Sequence, residues 1–171
     1  LECGYPRFVA HPLVAELFFA AEEEFAKNTE RALVFPSLSA AWRCADFAKR
    51  QGAKNTRLES YGWHQLTALM VKETDYPHAW KGWQHMGESV SSRLAEAALS
   101  DGPLSEAEAE AGQKALDTIR TRIASQYEST EPDDVFLFSS GMAAIGAVHR
   151  VLLKRLPDLP TIQLEFPYLD A

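Results

Sequence analysis

The residues with the clearest chemical potential lie in one segment, DDVFLFSSGMAAIGAVHRVL at positions 133–152. An apolar run that predicts a buried strand ends at Ser139, Ser140 and Gly141, and a helical pattern begins immediately afterwards. The first N–H groups of a helix have no partners within the helix, and the helix dipole favours an anion there. Glycine lets the backbone approach a ligand closely, and the two serines add hydroxyl donors. The pattern indicates a candidate phosphate-binding turn.

The same turn also has purely structural and hydrolytic interpretations. A serine followed by glycine is a common helix cap, and most such turns bind only water. The sequence lacks GxGxxG and GxxxxGK[ST], which argues against dinucleotide and nucleoside triphosphate sites. A hydrolase with Ser140 as nucleophile would need a GxSxG-type elbow, which SSGMA does not match. Phosphate binding and simple helix capping both stay open at this point.

The cysteines and histidines form no disulfide or metal pattern. Cys3 and Cys44 are the two cysteines, neither lies in a CxxC pair, and the five histidines are scattered. Few cysteines are typical of a reducing compartment, so we expect a cytoplasmic protein without structural zinc. Cys44 lies in the helical pattern WRCADFAKR, where we expect a buried and unreactive thiol instead of a nucleophile.

Composition and charge argue against two classes of partner. The chain has 171 residues, of which 46% are hydrophobic and 24% charged, and its formal net charge is −7. This composition is ordinary for a globular protein. Nucleic acid is disfavoured because phosphate backbones are bound by clustered Lys and Arg. No apolar run approaches the roughly 18–20 residues that cross a bilayer, so we expect no membrane partner either.

Residues 1–78 have the pattern of a small α/β unit. Apolar residues at helical spacing predict helices, and short apolar runs bounded by breakers predict strands. Ser37 is placed to cap the second helix with its hydroxyl. The predicted elements are a helix at 11–27, a strand at 32–35, a helix from Ser37 to about residue 50, and a strand at 65–71.

Residues 79–171 predict further helices and a parallel sheet. One helix begins near Ser91, and a Ser105–Glu108 capping box starts the next. A strand at 135–138, a helix after the serine turn and a strand at 161–166 then follow within about 32 residues, which is the signature of a parallel sheet. We therefore predict an α/β fold with an N-terminal α/β extension (1–78) and the beginning of a parallel-sheet domain (79–171).

These motifs resemble the Cys/Met-metabolism enzymes, which use pyridoxal phosphate (PLP). In that family a strand ends in a Ser/Thr-Gly-Met-x-Ala turn whose Gly and Met amides hold the cofactor phosphate. The matching positions are Gly141 and Met142, with Ser140 at the turn. WQHMGESVSSRLAEAAL and TIQLEFPYLDA are similar to the fungal cystathionine γ-synthase-like branch. GYPRFVAHPLVAEL and LVFPSLSAAWRCADF look like the extension that this branch carries before its cofactor domain.

The resemblance implies a fold-type I PLP-dependent transferase-like domain that assembles into an oligomer. The family sends a Tyr-x-Arg pair from one subunit to the phosphate in its neighbour. Segment 91–93, Ser-Ser-Arg, lies at the corresponding place, so Arg93 is the candidate that grips the phosphate. Segment 5–7, Tyr-Pro-Arg, has the literal pattern but lies much farther from the turn. The alternative role for Arg93 is that of a surface arginine.

The resemblance also implies groups that are not found in this sequence. The family needs a Schiff-base lysine, an acid at the pyridine nitrogen and a stacked aromatic, all well beyond the phosphate turn. None of the seven lysines stands in the family's Ser-x-x-Lys or Ser-x-Thr-Lys setting, and Asp170 comes too early to pair with the pyridine nitrogen. We expect a piece of a larger enzyme, or a domain that another chain completes.

The expected function is that of the N-terminal portion of a PLP-dependent transsulfuration enzyme. The resemblance implies γ-replacement on an O-acylated homoserine, a small amino-acid substrate, by a thiol such as cysteine. The chain alone is expected to be inactive, since it is expected to lack the Schiff-base lysine, and its catalytic residues are therefore unknown. Family lyase chemistry stays open. A non-catalytic binding domain or truncated paralogue that assembles with a full-length partner is the alternative of another class.

Overall fold

The computed structural model describes residues 9–62, 65–100, 102, 105–162 and 164. The first half of the chain contains both helices and strands, and helices follow in the second half. In chain order the elements are α1 (Pro12–Phe25), β1 (Glu30–Phe35), α2 (Leu38–Arg50), β2 (Thr56–Tyr61), β3 (Leu66–Lys72), α3 (Tyr76–Met86), α4 (Ser92–Leu99), α5 (Glu106–Ala124) and α6 (Gly141–Arg155), with a 3-10 turn at Pro132–Asp134.

The sheet has the order β1-β3-β2, and β3 pairs antiparallel with both neighbours. Leu69 in the middle of β3 lies opposite Leu33 on one side and Leu58 on the other. The six residues 66–71 of β3 are all buried, so this strand is covered on both faces. Continuous apolar runs are typical of such doubly covered strands, whereas a half-exposed strand alternates.

The hydrophobic core lies in the first hundred residues. Its cluster of buried side chains runs from Val14 to Ala95 and takes in α1, the sheet, α2, α3 and α4. Phe18 of α1 meets Trp83 of α3 edge-to-face at 5.9 Å between ring centroids. By contrast, α5 and α6 leave large apolar side chains exposed. These are Leu116, Ile119, Ile123, Ile145, Val148, Val151, Leu152 and Leu153.

Serine hydroxyls cap four of the helices, and the sequence predicted a helix start at or near each of these serines. Each hydroxyl accepts a hydrogen bond from the backbone N–H three residues later, which satisfies one orphan donor of the helix. The caps are Ser37, Ser91, Ser105 and Ser140. The predicted capping box of α5 is also confirmed.

Mixed helix and strand content is confirmed, but the predicted parallel sheet is not found in the described residues. Residues 135–138 form no strand, and neither do the described positions of 161–166. Phe136 is 77% exposed, so its apolar side chain has no covering layer. A strand exists only through hydrogen bonds to a neighbouring strand, and no described segment pairs with 135–138. Two elements, β2 and α3, were not predicted. The division at residue 78 stays a prediction.

None of the helices within the described part of the chain combines the length and the apolar character that a bilayer crossing requires.

Arg57 of β2 connects β2 with β1, although β3 lies between them. Its guanidinium donates to the Glu30 carboxylate at 2.6 Å and to the Phe25 carbonyl at 2.7 Å, and it also pairs with Glu59. Burial alone would raise the pKa of the Glu30 carboxyl. The hydrogen bonds from Arg57 and from the Lys27 N–H, with the charge of Arg57, instead lower this pKa below its ordinary value of 4.5.

We expect Arg57→Met to lower the free energy of unfolding by about 1–2 kcal/mol at neutral pH, because charge-assisted hydrogen bonds are lost while the aliphatic volume is kept. Since the folded-state pKa of Glu30 is depressed, its stabilising contribution is present above pH 4.5 and is lost as pH falls through the lowered pKa. The difference between wild type and variant should therefore shrink below pH 4.5. Urea denaturation at several pH values measures it.

The matched control for this prediction is Arg50→Met. Arg50 pairs with Asp46 at 3.0 Å on the exposed surface of α2, where such pairs contribute about 0–1 kcal/mol. A loss at Arg57 that is equal at neutral and acidic pH would contradict the assigned role of Glu30.

Candidate functional site

Helix α6 begins directly after the serine turn, and its first two backbone N–H groups have no hydrogen-bond partner among the described residues. Ser140 is extended, with φ −155° and ψ 162°, and its Oγ accepts the N–H of Ala143 at 3.1 Å. The N–H groups of Gly141 and Met142 make no hydrogen bond with any described residue. A Cβ at Gly141 would meet no atom within 4 Å, so the space beside it is open. Two unpaired donors thus lie at the positive end of the α6 dipole.

A cavity of about 750 Å³ lies against this helix start. Its volume is in the range of small-molecule sites. Both halves of the chain supply its walls, which are more apolar than polar. The N-terminal elements contribute His11, Val14, Trp83, Gln84, Gly87 and residues 89–92, and the turn contributes residues 139–142 and Ile145.

The serine hydroxyls hold the turn against the end of α3. Ser140 Oγ donates to the Gly87 carbonyl at 2.8 Å, and Ser139 Oγ donates to the same oxygen at 3.3 Å. The Ser140 hydroxyl therefore has one donated and one accepted hydrogen bond within the protein. Its role in this structure is to fix the turn, while the backbone N–H groups stay available for a ligand.

Arg93 does not line the cavity, unlike the other predicted site residues. Ser140, Gly141 and Met142 line one wall of the cavity, and Ser91 and Ser92 line another. The lining ends at Ser92, and Arg93 is exposed in the first turn of α4. The rival Tyr-x-Arg segment 5–7 and Asp170 lie outside the described residues.

Cys44 is confirmed as a buried thiol. It is fully buried in α2, and its Sγ donates to the Ala79 carbonyl at 3.3 Å. Burial raises the pKa of this thiol to about 12, so the reactive thiolate is scarce at neutral pH. No group of His, Cys, Asp and Glu that could hold a metal ion occurs among the described residues.

Sequence reasoning missed the wall that the N-terminal elements supply. His11 caps α1 by accepting the Leu13 N–H at its Nδ1 atom, at 3.3 Å, and it also lines the cavity. Trp83 lines the cavity too, and its buried indole N–H has no acceptor within the described part of the chain. The only local signals were the His-Pro helix start and the glycine in HMGES. Neither signal shows that these residues face a turn more than fifty positions away.

Comparisons with known proteins identify the N-terminal portion. Residues 13–91 match the family described as fungal trans-sulfuration enzyme, N-terminal domain. The chain is 31% identical to cystathionine gamma-synthase of Saccharomyces cerevisiae, over 59% of this chain and 18% of that protein. It is 27% identical to the cystathionine gamma-synthase-like protein ankD of Aspergillus thermomutatus, over 98% of this chain and 38% of that protein.

A bacterial relative is similar as well. The L-2-amino-4-chloropent-4-enoate dechlorinase/desaturase of Streptantibioticus cattleyicolor is 31% identical, over 84% of this chain and 29% of that protein. The chain thus spans between 18% and 38% of the length of these relatives. No solved structure matches the chain. The resemblance inferred from the motifs is confirmed for the N-terminal portion, because residues 13–91 match the N-terminal domain of the fungal trans-sulfuration enzymes.

Proposed function

We propose that this chain is the N-terminal part of a PLP-dependent transsulfuration enzyme and that its serine turn binds the cofactor phosphate. The observation that carries the proposal is the pair of unpaired backbone N–H groups at Gly141 and Met142, two residues that line a cavity of about 750 Å³. The match of residues 13–91 to the trans-sulfuration family supports the proposal that PLP is the cofactor, because the relatives include proteins named cystathionine gamma-synthase.

The residues of the turn fit a phosphate group. The Gly141 and Met142 N–H groups would donate to phosphate oxygens, and the α6 dipole would favour their negative charge. Ser140 would keep these donors aimed, because its hydroxyl is bonded to both Gly87 and Ala143. When bound, PLP supplies the electron sink for chemistry at amino-acid carbons. The lysine and the acid that complete this chemistry are not assigned to any residue of this chain.

Arg93 fits a contact with a second subunit better than a contact within its own cavity. Its side chain is exposed at the start of α4 and does not line the cavity. A guanidinium in that position can reach a phosphate of a neighbouring copy and bind it bidentately. We therefore propose that the active form is a homo-oligomer or a complex with a chain that carries the rest of the enzyme.

The fold-type I arrangement and the reaction belong to the same proposal. The exposed apolar face of α6 suits a helix that packs on a sheet, as crossover helices do in parallel α/β domains. The proposed reaction is γ-replacement on an O-acylhomoserine by a thiol such as cysteine. One relative is named for a dechlorinase and desaturase reaction instead.

A non-catalytic interaction domain is the second candidate. The observation that favours it is the closed core between Val14 and Ala95, which needs no residue of α5 or α6. Such a domain would use the apolar faces of α5 and α6 to assemble with a full-length partner. It would keep the phosphate-binding turn without running a reaction.

The test is a titration followed through the backbone amide signals of Gly141 and Met142 in a ¹⁵N-labelled chain. We expect pyridoxal 5′-phosphate and inorganic phosphate to shift both signals, because their oxygens would accept the free N–H groups. Unphosphorylated pyridoxal, which lacks the anion, should leave them unchanged. Equal shifts with pyridoxal and pyridoxal phosphate, or shifts confined to other residues, would refute phosphate binding at this turn.

A further inference from the structure

The carbonyl oxygen of Gly87 is the hydrogen-bond acceptor that holds the serine turn in place. Gly87 follows α3 and has φ +68°, the left-handed conformation in which glycine commonly ends a helix. Its oxygen accepts the hydroxyls of both Ser139 and Ser140. Gly87 lies within the matched family domain, 13–91, whereas the serines lie outside it. The two hydrogen bonds therefore join the family domain to the candidate anion site.

The fit at Gly87 leaves no room for a side chain. A Cβ built there would overlap the Ser140 hydroxyl oxygen, and it would lie 2.8 Å from the Met142 Cβ and 3.1 Å from the Ala143 nitrogen. Such contacts are far below ordinary van der Waals separation. Gly62 offers a direct comparison, because its φ is +60° but nothing lies within 4 Å of its Cβ position. Glycine is required at Gly87 for the approach of the turn in addition to its backbone angle.

Glu88 provides a second link at the next position. Its carboxylate accepts two hydrogen bonds of 2.7 Å from the guanidinium of Arg43 in α2, a bidentate pair. The same carboxylate lies 3.6 Å from Arg150 in α6. The Glu88 side chain is 12% exposed, so water screens these charges less than at an open surface. Through Glu88, α2 and α6 are attached to the same short connection between α3 and α4.

We propose that Gly87 and Glu88 are positioning residues through which the N-terminal family domain holds the serine turn in its anion-binding geometry. Gly87 anchors Ser140, and Ser140 caps α6 at Ala143, so these contacts fix the backbone of Gly141 and Met142 where both residues line the cavity. Glu88 holds the body of α6 through Arg150. The consequence for phosphate affinity rests on the proposed function, whereas the positioning of the turn does not.

The first test compares Gly87→Ala with Gly62→Ala in the full chain. Both variants place alanine in a left-handed conformation, so the backbone strain is common to both and only Gly87→Ala adds the steric overlap. Only Gly87→Ala should change the ligand-free amide shifts of Gly141 and Met142, accelerate hydrogen exchange at Ala143 by about tenfold or more, and weaken inorganic phosphate binding by about tenfold.

The second test compares Glu88→Gln with Glu23→Gln and keeps the proposal testable if Gly87→Ala fails to fold. Glu23 is an exposed carboxylate of α1. Loss of the Glu88 charge should accelerate exchange in the first turn of α6 and weaken phosphate binding by about threefold, because the ion pair with Arg150 of α6 and the charge assistance of the pair with Arg43 are both lost. The same change at Glu23 should alter neither quantity.

The outcomes separate the two claims. If the first turn of α6 behaves alike in Gly87→Ala and Gly62→Ala, or alike in Glu88→Gln and Glu23→Gln, the positioning role is wrong. If exchange and amide shifts change as expected but the wild-type chain binds no phosphate, the positioning role is upheld and the proposed phosphate site is refuted. If both respond together, the family domain sets the anion affinity of the turn.

Discussion

Replacing Gly141 with proline is expected to weaken phosphate binding by about 10- to 100-fold while α6 stays intact, since a hydrogen bond to a charged group contributes about 1.5–3 kcal/mol. Proline removes the backbone N–H that we assign to the phosphate. That N–H has no partner within the helix, so its removal costs α6 no hydrogen bond. Position 141 is the first residue of α6, where proline is favoured.

The surroundings of Gly141 also accept the proline ring. The residue before a proline must be extended, and Ser140 already has φ −155° and ψ 162°. No atom lies within 4 Å of a Cβ at Gly141, which leaves space for the ring. The effect on binding can therefore be read without a large change in folding. Isothermal titration with inorganic phosphate and with pyridoxal 5′-phosphate measures it, and circular dichroism reports the helix.

Gly141→Ala is the matched control. It adds a side chain in open space and keeps the N–H, so its phosphate affinity should stay within about twofold of wild type if the backbone donor is what binds. A proline variant that binds phosphate as tightly as the alanine variant would show that the Gly141 N–H does not hold the anion.

Leu69→Ala is expected to lower the free energy of unfolding by about 3 kcal/mol, within the range of about 2–5 kcal/mol for buried leucines. Leu69 is 0% exposed in the central strand, between Leu33 and Leu58. The truncation would leave a cavity where three leucines meet across the sheet. Because small domains are stable by only about 5–15 kcal/mol, a large share of the stability would be lost. Urea denaturation followed by tryptophan fluorescence measures the change.

The matched control is Leu116→Ala in α5. Leu116 is 40% exposed and lies outside the core cluster, so the same truncation should cost less than about 1 kcal/mol. Equal losses at Leu69 and Leu116 would contradict a core confined to the N-terminal elements. The pair of variants thus tests whether the stability of the chain resides in the family domain.

The sequence correctly predicted the helices and strands whose signals lie within a few neighbouring residues. The strand at 32–35 and the helix capped by Ser37 were found because a continuous apolar run and a cap lie within a few residues of each other. β2 was missed because TRLESY is polar and half-exposed, so it carries little apolar signal. α3 was missed because its Pro77 and Gly82 are usually read as breakers. In the structure Pro77 lies in the first turn, where it is tolerated, and Gly82 packs against Phe47.

Residues 135–138 are the opposite case, because the sequence predicted a strand there and the structure has none. VFLF has the residue types of a buried strand, and those types were identified correctly. A strand, however, is defined by a hydrogen-bonded neighbour, and none of the described segments supplies one. The apolar pattern indicates that this segment favours burial. Whether a neighbouring strand and a packed layer bury it depends on other parts of the fold.

The sequence alone determined the serine turn, the start of α6 and the family of the N-terminal portion, because a helix cap depends on groups only three residues apart and family motifs are read residue by residue. Only the tertiary structure decided that Gly87 receives both serine hydroxyls, that Glu88 joins Arg43 to α6, and that His11 and Trp83 line the same cavity as Gly141. Those contacts join segments dozens of residues apart. They exist because α1, α2 and α3 pack on one antiparallel sheet, and no local pattern specifies which loop that packing brings to the turn.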